Sequence, residues 1–257
     1  MRPLSVEEAA GEVASALRGS KFAVAFTGAG ISTESGIPDF RSPGTGLWQR
    51  YDPEVFTIHY FLRRPEEFYK VALEGLSPIL GAKPNPSHRL LAELERRGLI
   101  KAVITQNIDG LHQKAGSLNV VELHGHLRSA SCLGCGARVP LEELLRRIEG
   151  GSIPPRCNEC GGLMKPDVVL FGEQLPMEAI ERAQALAVEC DLMLVMGSSL
   201  VVYPAAEIPR IAHLHGAKVA IINRDPTDLD HIADILCRCE LRDFTPALAR
   251  KLGIEIP

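Results

Sequence analysis

Residues 22–41 read FAVAFTGAGISTESGIPDFR, and this stretch decides the fold. FAVAFT (22–27) is a short apolar run, the pattern of a strand buried on both faces, and it runs straight into Gly28-Ala29-Gly30. Glycines at 28 and 30 would let the backbone approach a diphosphate, whose charge the following N–H groups would bind. The GxGxxG fingerprint fails at its third position, Thr33, and no acid stands about 20 residues on at the end of a second strand. GAG alone would also serve as an ordinary tight turn. The polar tail tips the reading: Ser32, Thr33, Asp39 and Arg41 surround Phe40. A turn needs none of these, whereas a loop folding over a cofactor uses them.

Working outward, Ser5 and Glu8 form a capping box ahead of the apolar stripe Val6, Ala9, Ala10, Val13 and Leu17, which predicts a helix over 5–18. On the other side, 31–52 is rich in Gly, Pro, Ser and Asp and reads as a long functional loop. Helices are predicted over 65–75 and 86–98, each opening on a proline. The runs AVIT (102–105), VVEL (120–123), LMLVMG (192–197) and KVAIIN (218–223) repeat the buried-strand pattern. A helix at 176–188, a weaker strand at 233–237 and a closing helix at 243–252 complete the alternation. Such alternation predicts an α/β fold, a doubly wound parallel sheet with helices on both faces. Residues 124–170 break it with two CxxC pairs, several Gly and Pro, and one helix at 140–149.

The 257 residues carry a net charge of -4, with 46% hydrophobic and 23% charged content, an ordinary globular balance. The acidic balance argues against a dedicated nucleic-acid binder. No apolar run reaches the roughly 18–20 residues of a membrane helix, and the N-terminus lacks the h-region of a signal peptide. The expectation is a cytoplasmic protein with no membrane partner. Seven cysteines, four of them in CxxC pairs, fit a reducing compartment with a metal site.

Cys132-x-x-Cys135 and Cys157-x-x-Cys160 are separated by the 21 residues 136–156. Four thiolates so arranged close a tetrahedral zinc site with no open position for water, so one structural zinc is expected. Gly134, Gly136 and Gly161 sit where tight knuckles need small residues. Elsewhere, polar residues cluster just past strand ends: Gln106, Asn107 and Asp109 in TQNIDGLH, His124 in ELHGH, Gly197-Ser198-Ser199, and Asn223. Ligands of doubly wound sheets bind at such ends. Helix capping alone would account for Asp109 or Ser198, but not for His124.

These motifs, with MKPDVVLFGEQLP, GSSLVVYPAAEIP and INRD, resemble those of the sirtuin family, in the same order over roughly residues 20–240, most closely its compact bacterial and archaeal members. The resemblance implies a Rossmann-like NAD-binding domain, 1–123 and 171–257, with an inserted zinc-binding module, 124–170. It implies transfer of an acyl group from a protein lysine to the ADP-ribose of NAD, giving nicotinamide and 2′-O-acyl-ADP-ribose. His124 matches the general base and Asn107 a residue near the ribose and its ordered water. Ile108 and Asp109 match the nicotinamide contacts, and Phe40 the ring shielding the reacting sugar. Gly28, Ala29, Gly30, Thr33, Asp39, Arg41 and Gln106 match further cofactor contacts. Gly197, Ser198, Ser199, Asn223 and Cys239 match the adenosine side. Val169, Phe171, Gly172 and Val202 match the channel for an acetyl-lysine peptide. Members favouring acidic acyl groups carry Tyr-x-x-Arg in the 65–75 helix; here Tyr69 is followed by Ala72, which implies uncharged acyl groups. A mono-ADP-ribosyltransferase using the same pocket is the alternative, and a non-catalytic NAD- or zinc-binding protein a third reading. Both Asn107 and His124 are kept, which argues against the last.

Overall fold

The computed structural model describes residues 2–40, 42, 44 and 46–256; Arg41 lies outside them. The strands are β1 (Ala23–Thr27), β2 (Ala102–Thr105), β3 (Val120–Glu122), β4 (Gly125–Cys132), β5 (Arg138–Pro140), β6 (Met164–Val168), β7 (Leu192–Met196), β8 (Lys218–Ile222) and β9 (Ile235–Cys237). Six of them form one sheet in the order β3-β2-β1-β7-β8-β9, all pairs parallel. Taken in chain order these six run 3-2-1-4-5-6 across the sheet, the Rossmann arrangement, with its switch point between β1 and β7.

The helices are α1 (Val6–Gly19), α2 (Ile58–Arg63), α3 (Pro65–Gly81), α4 (Pro86–Arg96), α5 (Leu111–Ala115), α6 (Leu141–Glu149), α7 (Met177–Glu189), α8 (Glu207–Leu214) and α9 (Leu241–Leu252). The sheet is covered on both faces because its central strands β1, β2 and β7 are buried along their whole length and apolar save for Thr27 and Thr105 at their ends. Ala23 and Ala25 of β1 join one cluster with α1, α4 and α9, while Val24 and Phe26 join the other with α7 and α8. The period-2 alternation of a strand thus feeds two cores at once. The capping box at Ser5 and Glu8 forms as expected.

Register matters most for the site. Thr27 pairs with Thr105 and Met196, Thr105 with Glu122, Met196 with Ile222, and Ile222 with Cys237. All six strands therefore finish level, and the residues that follow them emerge along one rim.

A second, three-stranded antiparallel sheet, β5-β4-β6, lies inside 124–170, where the sequence had suggested only a helix and knuckles. Its strands are half-buried and interrupted by a bulge, so they lack an uninterrupted apolar run. Its core is completed from outside: Phe61 of α2 and Phe68 and Tyr69 of α3 pack with Ala130, Leu144, Ile148 and Met164. Phe61 and Phe68 meet edge-on at 4.9 Å. α3 continues to Gly81, past the expected end at 75 and through Pro78. Beyond that proline, Ile79 packs against Ile37, Ala82 and Leu111, which ties down the extra turn. The 31–52 stretch, expected to be a loop, is entered by a 3-10 segment, Ala29–Ser35, and holds another at Leu47–Gln49.

Candidate active site

A cleft of about 430 Å³ opens over the rim between the two sheets. Every described residue that the sequence placed at a site other than the zinc lines it, from Gly28 through His124 to Cys239. The glycine loop is shaped by a neighbour far off in sequence. A Cβ on Gly28 would sit 2.9 Å from the Gly197 carbonyl, and one on Gly30 2.8 Å from it. Gly197 itself has φ of 64° and crowds Ile31 N to 2.5 Å of its own missing Cβ. Glycine is required there so that the loops after β1 and β7 can close on each other at the switch point.

Hydrogen bonds knit the strand ends together. Gln106 Nε2 donates to Ser198 Oγ at 2.8 Å, across the sheet. Asn107 Nδ2 donates to the Gly28 carbonyl and to Ser32 Oγ, both at 3.1 Å, and Ser32 Oγ donates to Asp109 Oδ2 at 2.7 Å. Asp109 Oδ1 also accepts from Leu111 N at 2.9 Å, so this carboxylate both caps and faces the cleft. Burial raises the Asp109 carboxyl above its usual range, opposed by the Leu111 and Ser32 bonds.

Behind this layer lies a buried histidine pair. His88 and His112 meet at 4.9 Å, edge to face. Asn85 N donates to His88 Nδ1, so Nε2 carries the proton that faces Ser32 Oγ at 3.4 Å. His112 Nε2 lies 2.9 Å from Thr27 Oγ1, which bonds Thr105 Oγ1 at 2.8 Å; that oxygen in turn accepts from Asn107 N. Burial pushes His88 down to about 4 and His112 well below the imidazole range, so both are neutral.

His124 is held differently. Its Nδ1 lies 2.8 Å from the Gln106 carbonyl oxygen. A carbonyl can only accept, so Nδ1 carries the hydrogen and Nε2 keeps its lone pair. Burial lowers the His124 pKa, the Gln106 bond partly offsetting it, and the ring is a neutral base at pH 7.

The far wall comes from the loop and the small lobe. Phe40 stacks on Trp48 at 5.1 Å, and Trp48 also meets Phe56 and Phe171. Trp48 was missed in the sequence, although a lone tryptophan in a Gly- and Pro-rich loop was the available signal. Helix α3 adds Phe68, Ala72 and Gly75. Ala72 faces the cleft, but Tyr69 is buried and donates to the Met164 carbonyl at 2.7 Å. Segment 168–173 is stapled by Lys165, whose Nζ donates to the Val168 carbonyl at 2.6 Å and pairs with Glu173 at 3.0 Å.

In the small lobe the sulfurs of Cys132, Cys135, Cys157 and Cys160 all lie within 4.8 Å of one another. Tetrahedral zinc with bonds of about 2.3 Å sets its sulfurs roughly 3.8 Å apart; Cys132–Cys160 at 3.4 Å and Cys135–Cys157 at 3.7 Å fit that edge. Gly134 N and Gly162 N donate to the Cys132 and Cys160 sulfurs. A Cβ on Gly162 would come within 2.8 Å of Cys132 Sγ, so this glycine, unmarked in the sequence, fits the knuckle most tightly.

A cleft at the switch point of a Rossmann sheet, with a neutral imidazole held over it, defines a dinucleotide-dependent α/β enzyme. The model of the Sir2 family matches residues 28–204. An NAD-dependent protein deacetylase of Caldivirga maquilingensis is 51% identical over 223 residues, 87% of this chain and 86% of that protein. One from Thermotoga maritima is 46% identical over 239 residues, 93% and 96% of the two chains. A Sir2 structure with a p53 peptide and NAD+ superposes with a TM-score of 0.90 at 46% identity, covering 95% of this chain and 98% of that one. The chain belongs to the Sir2 family.

Proposed function

We propose that this protein removes acetyl and other uncharged acyl groups from protein lysines at the expense of NAD, releasing nicotinamide and 2′-O-acyl-ADP-ribose. The observation that carries this reading is His124: a neutral imidazole whose proton is fixed on Nδ1 by Gln106, presenting Nε2 as a base in the cleft. A group poised below its ordinary pKa can take a ribose hydroxyl proton at neutral pH. Asn107 and Asp109, oriented by Ser32 and Gly28, would hold the ribose side and the nicotinamide amide. Ile108 would press on the same ring. Gly28, Ala29, Gly30, Thr33, Asp39, Phe40, Arg41 and Gln106 would receive the rest of that half of NAD, with Phe40 shielding the reacting sugar from water. Gly197, Ser198, Ser199, Asn223 and Cys239 would hold the adenosine half.

The acyl-lysine peptide would enter along Val169, Phe171, Gly172 and Val202, adding as an extended strand. Ala72 leaves the acyl end of the cleft without a guanidinium, and a desolvated succinyl carboxylate would have no charged donor there. Cys132, Cys135, Cys157 and Cys160 would hold one zinc, which supplies stability to the small lobe and no step of the reaction. Division of the chain into 1–123 with 171–257 and an inserted 124–170 module follows this reading. Seven free cysteines support a reducing, cytoplasmic setting, and no nucleic-acid or membrane partner is proposed. Among the described residues no helix is long and apolar enough to cross a membrane.

Mass spectrometry of products from NAD with acetyl-, butyryl- and succinyl-lysine peptides tests the proposal. Expected are free lysine and O-acyl-ADP-ribose, with succinyl the poorest substrate. ADP-ribosylated protein without O-acyl-ADP-ribose would favour the transferase alternative instead.

A further inference from the structure

Cys237 closes β9, and Cys239 follows two residues later in the bend that leads into α9. Their sulfurs stand 3.2 Å apart. Cys237 is buried in the sheet core, whereas Cys239 is half-buried and lies on the cleft wall beside Asn223 and Glu240. The neighbouring Cys239 thiol lowers the Cys237 pKa, which favours a thiolate in the pair. Nothing in the proposed chemistry uses Cys237, and neither sulfur belongs to the zinc cluster.

We propose that Cys237 and Cys239 form a reversible redox-modification site, in which oxidation by hydrogen peroxide joins the two sulfurs and thereby distorts the nucleotide end of the cleft. The steps balance. One thiol gives up its proton, the thiolate attacks an oxygen of hydrogen peroxide, the O–O bond breaks, and the leaving hydroxide takes that proton to depart as water, leaving a sulfenic acid. The second thiolate attacks that sulfur, the S–O bond breaks, and a second water leaves with the last proton. Two electrons pass from the sulfurs to the peroxide. An added dithiol reverses the bond by exchange.

The structure also says where the strain goes. Closing 3.2 Å to the roughly 2.05 Å of a disulfide requires one sulfur to move by about an ångström. Cys237 is fixed: its carbonyl accepts from Asn223 N at 3.1 Å, and it pairs with Ile222 and Leu4 on its two sides. Any backbone adjustment therefore falls on Cys239 and on Glu240, the N-cap of α9, and both line the cleft. The effect on NAD rests on the reading under Proposed function; the bond itself does not.

The test uses the zinc-loaded protein, treated with hydrogen peroxide and then mapped by non-reducing peptide mass spectrometry. Zinc release is followed with a chromophoric chelator, and NAD binding by calorimetry. Expected are a Cys237–Cys239 linkage with zinc retained, a roughly tenfold weaker NAD affinity, or about 1.4 kcal/mol, and recovery on adding dithiothreitol. Cys237→Ala should bind NAD normally and lose the peroxide sensitivity. No such linkage, a linkage with unchanged NAD affinity, or a Cys237→Ala protein as sensitive as the parent would each overturn the proposal. If the reduced protein binds no NAD, the cleft assignment fails and the coupling with it, while the peptide map still decides whether the bond forms.

Discussion

The Gln106 carbonyl oxygen, 2.8 Å from His124 Nδ1, decides which ring nitrogen can act. It is a backbone atom on the strand-end segment that also carries Asn107 and Asp109, so the base and the groups proposed to hold its substrate are positioned by one short stretch. Replacing His124 by Ala should lower kcat by about 10²–10⁴-fold. NAD affinity, measured by calorimetry, should change little, because the nucleotide contacts proposed here lie on other residues. Unchanged turnover would remove His124 from the chemistry. The pH profile carries a second check. Burial lowers the folded pKa of His124, so the neutral, active form persists below the ordinary range. The acidic limb of kcat/KM should therefore fall below pH ~6.5, the value of a free imidazole. A limb at or above that value would contradict the burial argument.

Segment 168–173 is an element placed by one buried cation. Lys165 Nζ gives hydrogen bonds to the Pro166 and Val168 carbonyls and pairs with Glu173, whose Oε2 also accepts from Leu170 N. Lys165→Met should raise the peptide KM several-fold, leave NAD affinity nearly unchanged, and cost about 2–3 kcal/mol in a denaturation curve, since Glu173 would be left half-buried without its partner. Recovery of that stability in a Lys165→Met, Glu173→Gln double variant would confirm that the lone carboxylate is the cause; no recovery would refute it. This staple was not legible in the sequence, because MKPDVVLFGE gives no sign that Lys165 folds back on its own strand. The six parallel strands were legible, since burial writes them as short, mainly apolar runs, most plainly in β1, β2 and β7, which are buried throughout. β4, β5 and β6 were not, because a half-buried antiparallel sheet around a metal site is written in Gly, Pro and Cys. In the sequence the glycines at 28 and 30 suit a diphosphate, yet the nearest object to each is the backbone of Gly197, a contact that only the fold reveals.

Two features join the parts into one molecule, and both make its stability depend on solution conditions. The first is the buried histidine pair between α4 and α5, under the end of β1. The folded pKa of His88 is about 4, below its ordinary 6.5. The unfolded chain therefore binds the extra proton first as pH falls, and stability complete above pH ~6.5 is lost down to about pH 4. The depression corresponds to about 3 kcal/mol at one site, and His112 acts in the same direction. Melting temperature followed from pH 7 to pH 4 should fall, and His88→Gln should flatten that slope; an equally steep slope in the variant would place the acid sensitivity elsewhere. The second feature is the cysteine cluster. Cys132 and Cys157 are part of the same apolar cluster as Phe61, Phe68 and Tyr69, so the proposed zinc anchors the core that α2 and α3 complete. Phe68 and Ala72 of α3 also line the cleft, and the Phe56 carbonyl, just before α2, accepts a backbone hydrogen bond from Phe171 N. Loosening the cluster should therefore reach the cleft wall although none of its four cysteines lines the cleft. Removing zinc with a strong chelator should lower the melting temperature by several degrees and abolish turnover, while the six-stranded sheet keeps most of its far-ultraviolet dichroism. Readdition of zinc should restore both. A verified metal-free protein with full activity would mean that the lobe holds its shape without the ion.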